Sequence, residues 1–466
     1  MAKAHWAVLV YISADEILTN FAVDSLKQLK LGSSESVVVE AQVDANGKRP
    51  IRRYRFGGKE ETQLEKEESI KNNETVIDNP HRLGIADPQN LTAFIDSVAY
   101  DPATNEPIAE SFCIVPWGHG VELLLDEDRL RIRVGRDLRV NRRYLTPANL
   151  RKGLEGTRLF KSGRKFDIIG LDACSMSMVE LASELQNCAN FMVASQEDVP
   201  DVSFPYEKIL KGLTTIAGGN KMEAKEVSKT IADLYLQTYR DYISAPGSGV
   251  RGITLASMNL SQVKTVTGPL AKLAKAMLGS HKNDDLGRAI FDARSKSRNF
   301  VFGLFVDLFE FCEKLGKALE STNLSSQALS EACAEIRQAI QVQDGGCVIR
   351  NATKNGGDCH GLSIYFPYRD DTPTDAFQVL QALGPGPDER PVKGGNRPLK
   401  GGNRPLKERN ARIAEIEEDF QQLRFFPDTK WLKFIQEDWS RILARLKPDE
   451  LDIYYSGQQC AKNLAA

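Results

Sequence analysis

Short apolar runs alternate with helical patterns along the first 260 residues. The apolar runs predict buried strands at residues 6–12, 36–43, 112–115, 166–171, 191–194 and 253–256. Apolar positions at helical spacing predict helices at residues 21–31, 89–100, 177–188, 205–213 and 222–239. Strands that are apolar on both faces and alternate with helices indicate a largely parallel sheet covered on both sides. Ligands of such sheets bind beyond the carboxyl ends of the strands.

The second half of the chain is richer in helical patterns. These patterns predict helices at residues 260–278, 285–298, 302–319 and 326–342, followed by a strand at 361–367. Residues 384–410 hold the heptapeptide KGGNRPL twice, and their Gly, Pro and basic content predicts a flexible exposed loop. A helical stretch at 411–446 carries Trp431 and Trp439 as expected packing anchors. We therefore divide the chain at 1–260, 261–383, 384–410 and 411–466.

Charge and composition exclude several classes of protein. The 466 residues contain 61 Lys and Arg against 63 Asp and Glu, a net charge of −2, which gives no global reason to expect nucleic acid or an anionic membrane as partner. No apolar run approaches the roughly 18–20 residues of a membrane span, and the first run lacks the features of a signal peptide. The eight cysteines are scattered and form no CxxC pair, which favours a reducing, cytoplasmic location.

One segment has a strong local charge. Residues 129–165 hold 13 Lys and Arg against two acidic residues. A solvated basic loop explains this run, and a phosphate-binding patch is a second interpretation. The run lacks interleaved aromatic residues and a recognised fold, so its composition does not favour nucleic-acid binding.

Two candidate catalytic residues follow neighbouring predicted strands. His119 lies between two glycines after the run at 112–115, and Cys174 follows the run at 166–171 and precedes a predicted helix. A helix N-terminus favours the thiolate form of a cysteine, which is the nucleophile. The two residues are 55 positions apart, and a catalytic His about 50 residues before a catalytic Cys is typical of caspase-type peptidases.

At this point the sequence resembles the clostripain family of cysteine peptidases, within the caspase-like superfamily. The most specific motifs are PWGHG at 116–120 and LDACSMSMVE at 171–180. Further motifs occur in family order: WAVLVYISAD at 6–15, ADPQNLTAFI at 86–95, VASQEDVP at 193–200, ITLASMNLS at 253–261, FVDLFEF at 305–311 and HGLSIYFP at 360–367. The resemblance implies a caspase-like three-layer α/β sandwich, with residues 1–260 as catalytic domain and a helix-rich C-terminal half.

The resemblance also implies roles for individual residues. Cys174 would be the nucleophile and His119 the general acid/base, and the amides of Gly120 and Cys174 would form the oxyanion hole. Family members commonly cut after Arg or Lys, which requires an acidic pocket. Asp172 matches a pocket position, and we expect the pocket to include Glu197, Asp198 and Asp201 as well. The alternative for Asp172 is a helix cap or loop brace, and the alternative for the other three is an ordinary loop carboxylate.

The position of the basic segment between His119 and Cys174 suggests a zymogen that is activated by cleavage there, by itself or by an upstream protease. The candidate processing residues are Arg129, Arg131, Arg133, Arg136, Arg139, Arg142, Arg143, Arg151 and Lys152. The alternative is a basic loop that stays intact.

Cofactors and partners follow from the same resemblance. The chemistry needs no cofactor, and no metal site is predicted, although the family resemblance allows calcium. We expect protein substrates with exposed Arg or Lys, and the family allows a role in regulated proteolysis, including cell death or antiviral defence. A catalytically silent caspase-like interaction protein and a nucleic-acid-binding module that uses residues 129–165 are the alternatives.

Overall fold

The structure is a computed structural model of the chain. It describes residues 3–14, 18–45, 51–57, 74–77, 87–120, 122–123, 130–131, 134–137, 143–200, 202–214, 222–240, 252–300, 304–321, 326–354, 359–367 and 423–445.

The described residues form sixteen strands and a set of helices. The strands are β1 Ala4–Ala14, β2 Val37–Ala45, β3 Ile51–Phe56, β4 Glu74–Ile77, β5 Ala109–Trp117, β6 Glu122–Leu123, β7 Leu130–Arg131, β8 Val134–Asp137, β9 Arg143–Leu145, β10 Phe166–Gly170, β11 Ala189–Ala194, β12 Ile253–Asn259, β13 Asn299–Phe300, β14 Phe305–Asp307, β15 Val348–Lys354 and β16 Ser363–Tyr365. The α-helices are α1 Thr19–Gly32, α2 Pro88–Val98, α3 Pro147–Gly156, α4 Arg158–Lys161, α5 Val179–Leu185, α6 Tyr206–Thr214, α7 Ala224–Tyr239, α8 Lys264–Met277, α9 Asp284–Lys296, α10 Leu308–Ser321, α11 Gln327–Ile340, α12 Phe425–Thr429, α13 Trp431–Phe434 and α14 Ser440–Leu443. Short 3-10 turns lie at Leu260–Gln262 and Ser280–Lys282, and a π-helical turn lies at Ile435–Trp439.

Nine strands build the main sheet in the order β15-β12-β11-β10-β5-β1-β2-β3-β4. The five central strands, from β11 to β2, are parallel to one another. Antiparallel pairs extend the sheet at both sides, through β12 and β15 on one side and β3 and β4 on the other. The predicted parallel core of the sheet is therefore confirmed, and its antiparallel flanks are an addition to the prediction.

Helices cover the sheet on both faces, and β1 shows how the sequence achieves this. Its alternate residues enter two different apolar clusters. Ala7, Leu9 and Tyr11 pack in the cluster that includes α2, α5 and α8, whereas Val8 and Val10 pack in the cluster that includes α1, α6 and α7. Because side chains of a strand alternate between the faces, a nearly continuous apolar strand is required between two layers of helices. The structure thus has the predicted three-layer α/β architecture.

Local sequence signals fix the first residues of helices α2 and α3. Asp87 caps α2 by accepting from the Gln89 amide at 2.8 Å, and Thr146 caps α3 by accepting from the Asn149 amide at 3.2 Å. Each cap is followed by a proline at the first helical position, where its missing N–H has no cost. The two helices therefore begin at defined residues, close to strands β5 and β10.

The C-terminal segment packs on the same core as strands β5 and β10. Trp431 and Trp439 are fully buried, and their indole N–H groups donate to the carbonyls of Tyr365 and Pro367, each at 2.6 Å. The prediction that both tryptophans are packing anchors is confirmed. The predicted loop at 384–410 lies outside the described residues.

Two predictions about secondary structure were wrong, and three strands of the main sheet were not predicted. The apolar stretch predicted as one helix over 302–319 contains β14 before α10 begins at Leu308. The unpredicted strands are β3, β4 and β15. The basic segment was predicted as a loop up to residue 165, but α3 and α4 occupy its C-terminal half, because capped helices with buried leucines form there.

Candidate active site

The ends of β5 and β10 bring His119 and Cys174 to one edge of the sheet. A parallel bridge joins Trp117 to Asp172 just beyond the two strands. The Gly118 amide donates to the Asp172 carbonyl at 3.2 Å. His119 and Cys174 each lie two positions after a bridged residue. The two segments therefore place both residues at the same carboxyl edge of the sheet.

Gly120 lies directly against the nucleophile candidate. A Cβ atom added at this position would overlap the backbone nitrogen, carbon and oxygen of Cys174. Only glycine at position 120 allows these two backbone segments to approach this closely. The Gly120 amide therefore lies beside Cys174, as the predicted oxyanion hole requires; the role itself stays a prediction.

Cys174 differs from the other cysteines in exposure. Among the seven described cysteines, six are buried and Cys174 is partly exposed. Burial raises the pKa values of the thiols of Cys113, Cys188 and Cys347, each to about 12, so these groups stay protonated and inert. Accessibility thus selects Cys174 among the described thiols.

The helix expected to start next to Cys174 starts later. The prediction placed a helix from residue 177, but α5 begins at Val179, and Ser175 has a positive φ of 55°. The chain thus turns after Cys174 before it becomes helical. The backbone amide of Val199 instead donates to Cys174 Sγ at 3.3 Å. Sequence reasoning missed this donor because a backbone N–H has no residue-type signature.

Asp172 is buried, with 4% of its surface exposed. Its Oδ2 accepts from the Ser203 hydroxyl, from the Phe204 amide at 3.1 Å and from the Tyr206 hydroxyl at 2.6 Å. Burial raises the pKa of Asp172 from 3.8 to about 6, and the three hydrogen bonds act in the opposite direction. Asp172 does not cap α5, whose N-cap is Met178. It braces the chain from Ser203 to Tyr206, as the loop-brace alternative expected.

The other candidate pocket carboxylates lie in the loop after β11. Glu197 is half-buried and forms an ion pair with Arg298, in which the Arg298 Nε lies 3.2 Å from Glu197 Oε1. Asp198 is exposed. Asp201 lies outside the described residues. The structure therefore brings Asp172 to the same sheet edge as Asp198, whereas an internal arginine already offsets the charge of Glu197.

The candidate processing residues separate into three groups. Arg131, Arg136 and Arg143 lie on the short strands β7, β8 and β9. Arg129, Arg133, Arg139 and Arg142 lie outside the described residues.

Arg151 and Lys152 form the third group and lie within α3. Arg151 is nearly buried, and its Nε pairs with Glu184 at 2.7 Å. Proteolysis concentrates in exposed loops, so their position in a helix makes Arg151 and Lys152 poorer cleavage sites than loop residues, and their role in processing stays a prediction.

The described residues offer no metal centre and no membrane span. Among them, no group of three or more His, Cys, Asp or Glu side chains could hold a metal ion. His360 pairs with Asp307 at 3.0 Å and stacks on Phe309 at 4.2 Å between ring centroids. Within the described part of the chain, no helix is long and apolar enough to cross a bilayer.

Comparisons with known proteins identify the family. The model of the clostripain family, Peptidase_C11, matches residues 10–439. The fold is similar to that of a secreted C11 cysteine protease from Bacteroides thetaiotaomicron in complex with an irreversible peptide inhibitor, at 17% identity and a TM-score of 0.54, over 79% of this chain and 94% of that chain. It is also similar to an inactive zymogen C11 protease from Parabacteroides distasonis, at 16% identity and a TM-score of 0.54, over 92% of this chain and 99% of that chain. No curated protein matches the sequence.

Proposed function

Because the chain belongs to the clostripain family of cysteine peptidases, we propose that it hydrolyses peptide bonds through Cys174 and His119. The observation that carries this assignment is the bridge between Trp117 and Asp172, which sets the two residues at one sheet edge. The partial exposure of Cys174 supports its role as nucleophile.

The reaction then proceeds in two steps. The Cys174 thiolate attacks the scissile carbonyl carbon, and the amides of Gly120 and Cys174 donate to the oxyanion of the tetrahedral intermediate. His119 gives its proton to the leaving amine as the C–N bond breaks, which leaves a thioester. Water attacks the thioester and His119 takes one proton of that water, so the acid product leaves and the Cys174 thiolate and the protonated His119 are restored.

We assign specificity for Arg or Lys before the scissile bond to the carboxylates of Asp172 and Asp198. A cationic side chain that leaves water needs a nearby negative charge to offset its desolvation. Asp172 is buried and fixed by three donors, which favours a defined site over a mobile surface charge. Asp201 keeps its predicted place in this pocket, and Glu197 contributes less because Arg298 neutralises it.

We also propose that cleavage between residues 129 and 143 activates the enzyme. The segment joins the two catalytic strands and is rich in arginine, the residue after which the enzyme would cut. One similar structure is described as an inactive zymogen, which supports the idea by analogy. Intact-mass measurement of wild-type and Cys174→Ala protein tests it: we expect two fragments from the wild type and one chain from the variant. A fully active, uncut wild-type chain would contradict it.

The decisive experiment is hydrolysis of fluorogenic peptides with Arg, Lys or Asp before the scissile bond. Wild-type, Cys174→Ala and His119→Ala proteins are compared, and Cys113→Ala serves as a matched cysteine control because Cys113 is buried. We expect cleavage after Arg and Lys that is lost in both catalytic variants and kept in the control. A folded wild-type protein that cleaves no peptide would instead favour a catalytically silent interaction protein.

Nucleic-acid binding, calcium dependence, biological role and location are further predictions for this protein. Salt-sensitive binding of DNA or RNA that persists in Cys174→Ala would favour the nucleic-acid alternative. Calcium dependence is tested by adding a chelator to the peptide assay. Roles in cell death or antiviral defence, an upstream activating protease and a cytoplasmic location rest on the sequence alone, and one similar structure is described as that of a secreted protease.

A further inference from the structure

The loop after β11 wraps the backbone around Cys174. The Ser175 amide donates to the Glu197 carbonyl at 3.0 Å, and the Val199 amide donates to Cys174 Sγ at 3.3 Å. The loop is itself fixed to the sheet, because the Glu197 amide donates to the hydroxyl of Thr254 on β12 at 3.2 Å. Two consecutive residues of the nucleophile turn thus depend on one loop for their hydrogen bonds.

The Val199 amide donates to Cys174 Sγ, a role for which the sequence predicted the N-terminus of a helix. A hydrogen bond donated to sulfur favours the thiolate over the thiol, because the charged form is the stronger acceptor. Since α5 begins only at Val179, its first turn does not start at Cys174. Val199 instead contacts the sulfur with both of its backbone groups: its amide donates to Cys174 Sγ at 3.3 Å, and its carbonyl accepts from the thiol at 3.8 Å, the longer of the two contacts.

An ion pair between Glu197 and Arg298 also holds the loop. The Arg298 guanidinium pairs with Glu197, and both its Nε and a terminal nitrogen reach Oε1. The backbone of Arg298 is fixed in turn: its amide donates to the Glu310 carboxylate at 2.5 Å, and its carbonyl accepts from the Asp307 amide at 2.9 Å. Asp307 and Glu310 are both buried, so the arginine extends from a rigid support.

We propose that the Val199 amide stabilises the Cys174 thiolate and that Arg298, acting through Glu197, is the positioning residue that keeps this amide in place. The proposal rests on the proposed function, since it concerns the nucleophile of that reaction. Arg298 lies 124 positions after Cys174 in the sequence. Its ion pair with Glu197 therefore connects the helix-rich half of the chain to the edge that carries Cys174.

Other ionisable groups belong to the elements that meet at this edge of the sheet and must stay constant in a test. They are His119 after β5, Asp172 before the nucleophile, Glu197 and Asp198 in the loop, and Tyr235 on α7, whose phenol interacts electrostatically with Cys174. A proline at position 199 removes the amide N–H and replaces none of these side chains, although it restricts the backbone of Asp198, so Val199 is the direct place to test the donor and Arg298 supplies the independent test.

The first test compares Val199→Pro, which removes the N–H, with Val199→Ala, which keeps it. The rate of Cys174 alkylation by iodoacetamide is followed from pH 4 to 10, with the modified peptide identified by mass spectrometry. We expect the midpoint of the rate profile to rise by about one pH unit in the proline variant, the size of one hydrogen bond to a charged group, and to stay near the wild-type value in the alanine variant. Equal midpoints for both variants would overturn the proposal.

The second test concerns Arg298. We expect Arg298→Gln to raise the same midpoint and to lower kcat/KM, and Arg298→Lys to restore most of both. Arg350→Gln, which breaks a more exposed arginine–aspartate pair with Asp233, should change neither. The profiles are repeated in 1 M salt, which screens a direct charge effect but leaves a geometric one. An upward shift that vanishes in salt, or no shift, refutes the positioning role. Alkylation needs no peptide hydrolysis, so a failed peptidase assay leaves this outcome readable.

Discussion

The buried carboxylate of Asp172 imposes a pH-dependent cost on the folded state, and Asp172→Asn removes it. Asparagine has nearly the same shape, and its side-chain oxygen can accept from the same three donors on Ser203, Phe204 and Tyr206. The substitution therefore removes the charge and preserves the network. Cys174→Ala is the background for the stability measurements, because it prevents self-digestion.

The magnitude follows from the pKa of Asp172, which burial raises from 3.8 to about 6. Below pH 3.8 the carboxyl is neutral in both the folded and the unfolded chain. As the pH rises through about 6, the folded protein must hold a charge that the unfolded chain accommodates more easily, so stability is lost. At about 1.4 kcal/mol for each pH unit, the loss amounts to about 3 kcal/mol.

The assay is urea unfolding of both proteins from pH 3.5 to 7.5, followed by far-UV circular dichroism. We expect the free energy of unfolding of the asparagine variant, relative to its parent, to increase by about 3 kcal/mol across this range. The raised pKa values of Glu40 and Glu180, each about 7, cancel in the comparison because both proteins contain them. A difference that does not change with pH would refute the reasoning.

In the active background, the same variant should lose cleavage after Arg and Lys. A group that lowers stability at neutral pH and is needed for activity fits the general conflict between stable and functional sites. If the variant were more stable and also fully active, Asp172 would be a loop brace alone.

Further predictions follow from single contacts at and near the site. Gly120→Ala should lower kcat/KM at least about 100-fold, because its Cβ overlaps the nucleophile backbone, while Gly268→Ala, which has open space at that position, should leave it unchanged. Arg151→Ala should lower the free energy of unfolding by about 3 kcal/mol, since it removes the cation that is paired with the buried carboxylate of Glu184, and exposed Lys152→Ala should have no measurable effect. In a pH series, kcat/KM for Arg peptides should fall as the pH drops through about 6, and Tyr206→Phe should move this decline to higher pH by removing a donor to the buried aspartate.

The placement of His119 and Cys174 at one edge of the sheet could be predicted from the sequence because its signals are local. The strands that lead to His119 and Cys174 are continuous apolar runs, and glycines flank the histidine where the chain turns. Strand β3 was harder to predict, because arginines occupy three of its six positions and leave no continuous apolar run. The stretch at 302–319 is apolar without a clear period, so its first residues fit a strand or a helix equally well.

The contacts that organise the site could not be predicted because they join distant residues. Arg298 and Glu197 are 101 positions apart, and nothing in either local sequence announces the pair. The Val199 amide is a backbone group, and only the path of its loop brings it to the sulfur. The sequence also identifies Asp172 as acidic without revealing that three donors would converge on one of its oxygens.

The pairing of β5 with β10 has a consequence for a chain that is cut between them. Each fragment would carry complete strands of the sheet, with Ile168 opposite Cys113 and Ile169 opposite Ile114 in its interior. One helix from each fragment also forms a contact with the other: the Thr92 hydroxyl of α2, before the cut, donates to the Gly153 carbonyl of α3, after the cut, at 2.7 Å. The two fragments would thus stay together as a noncovalent heterodimer. Separately expressed halves should therefore reassemble by fragment complementation.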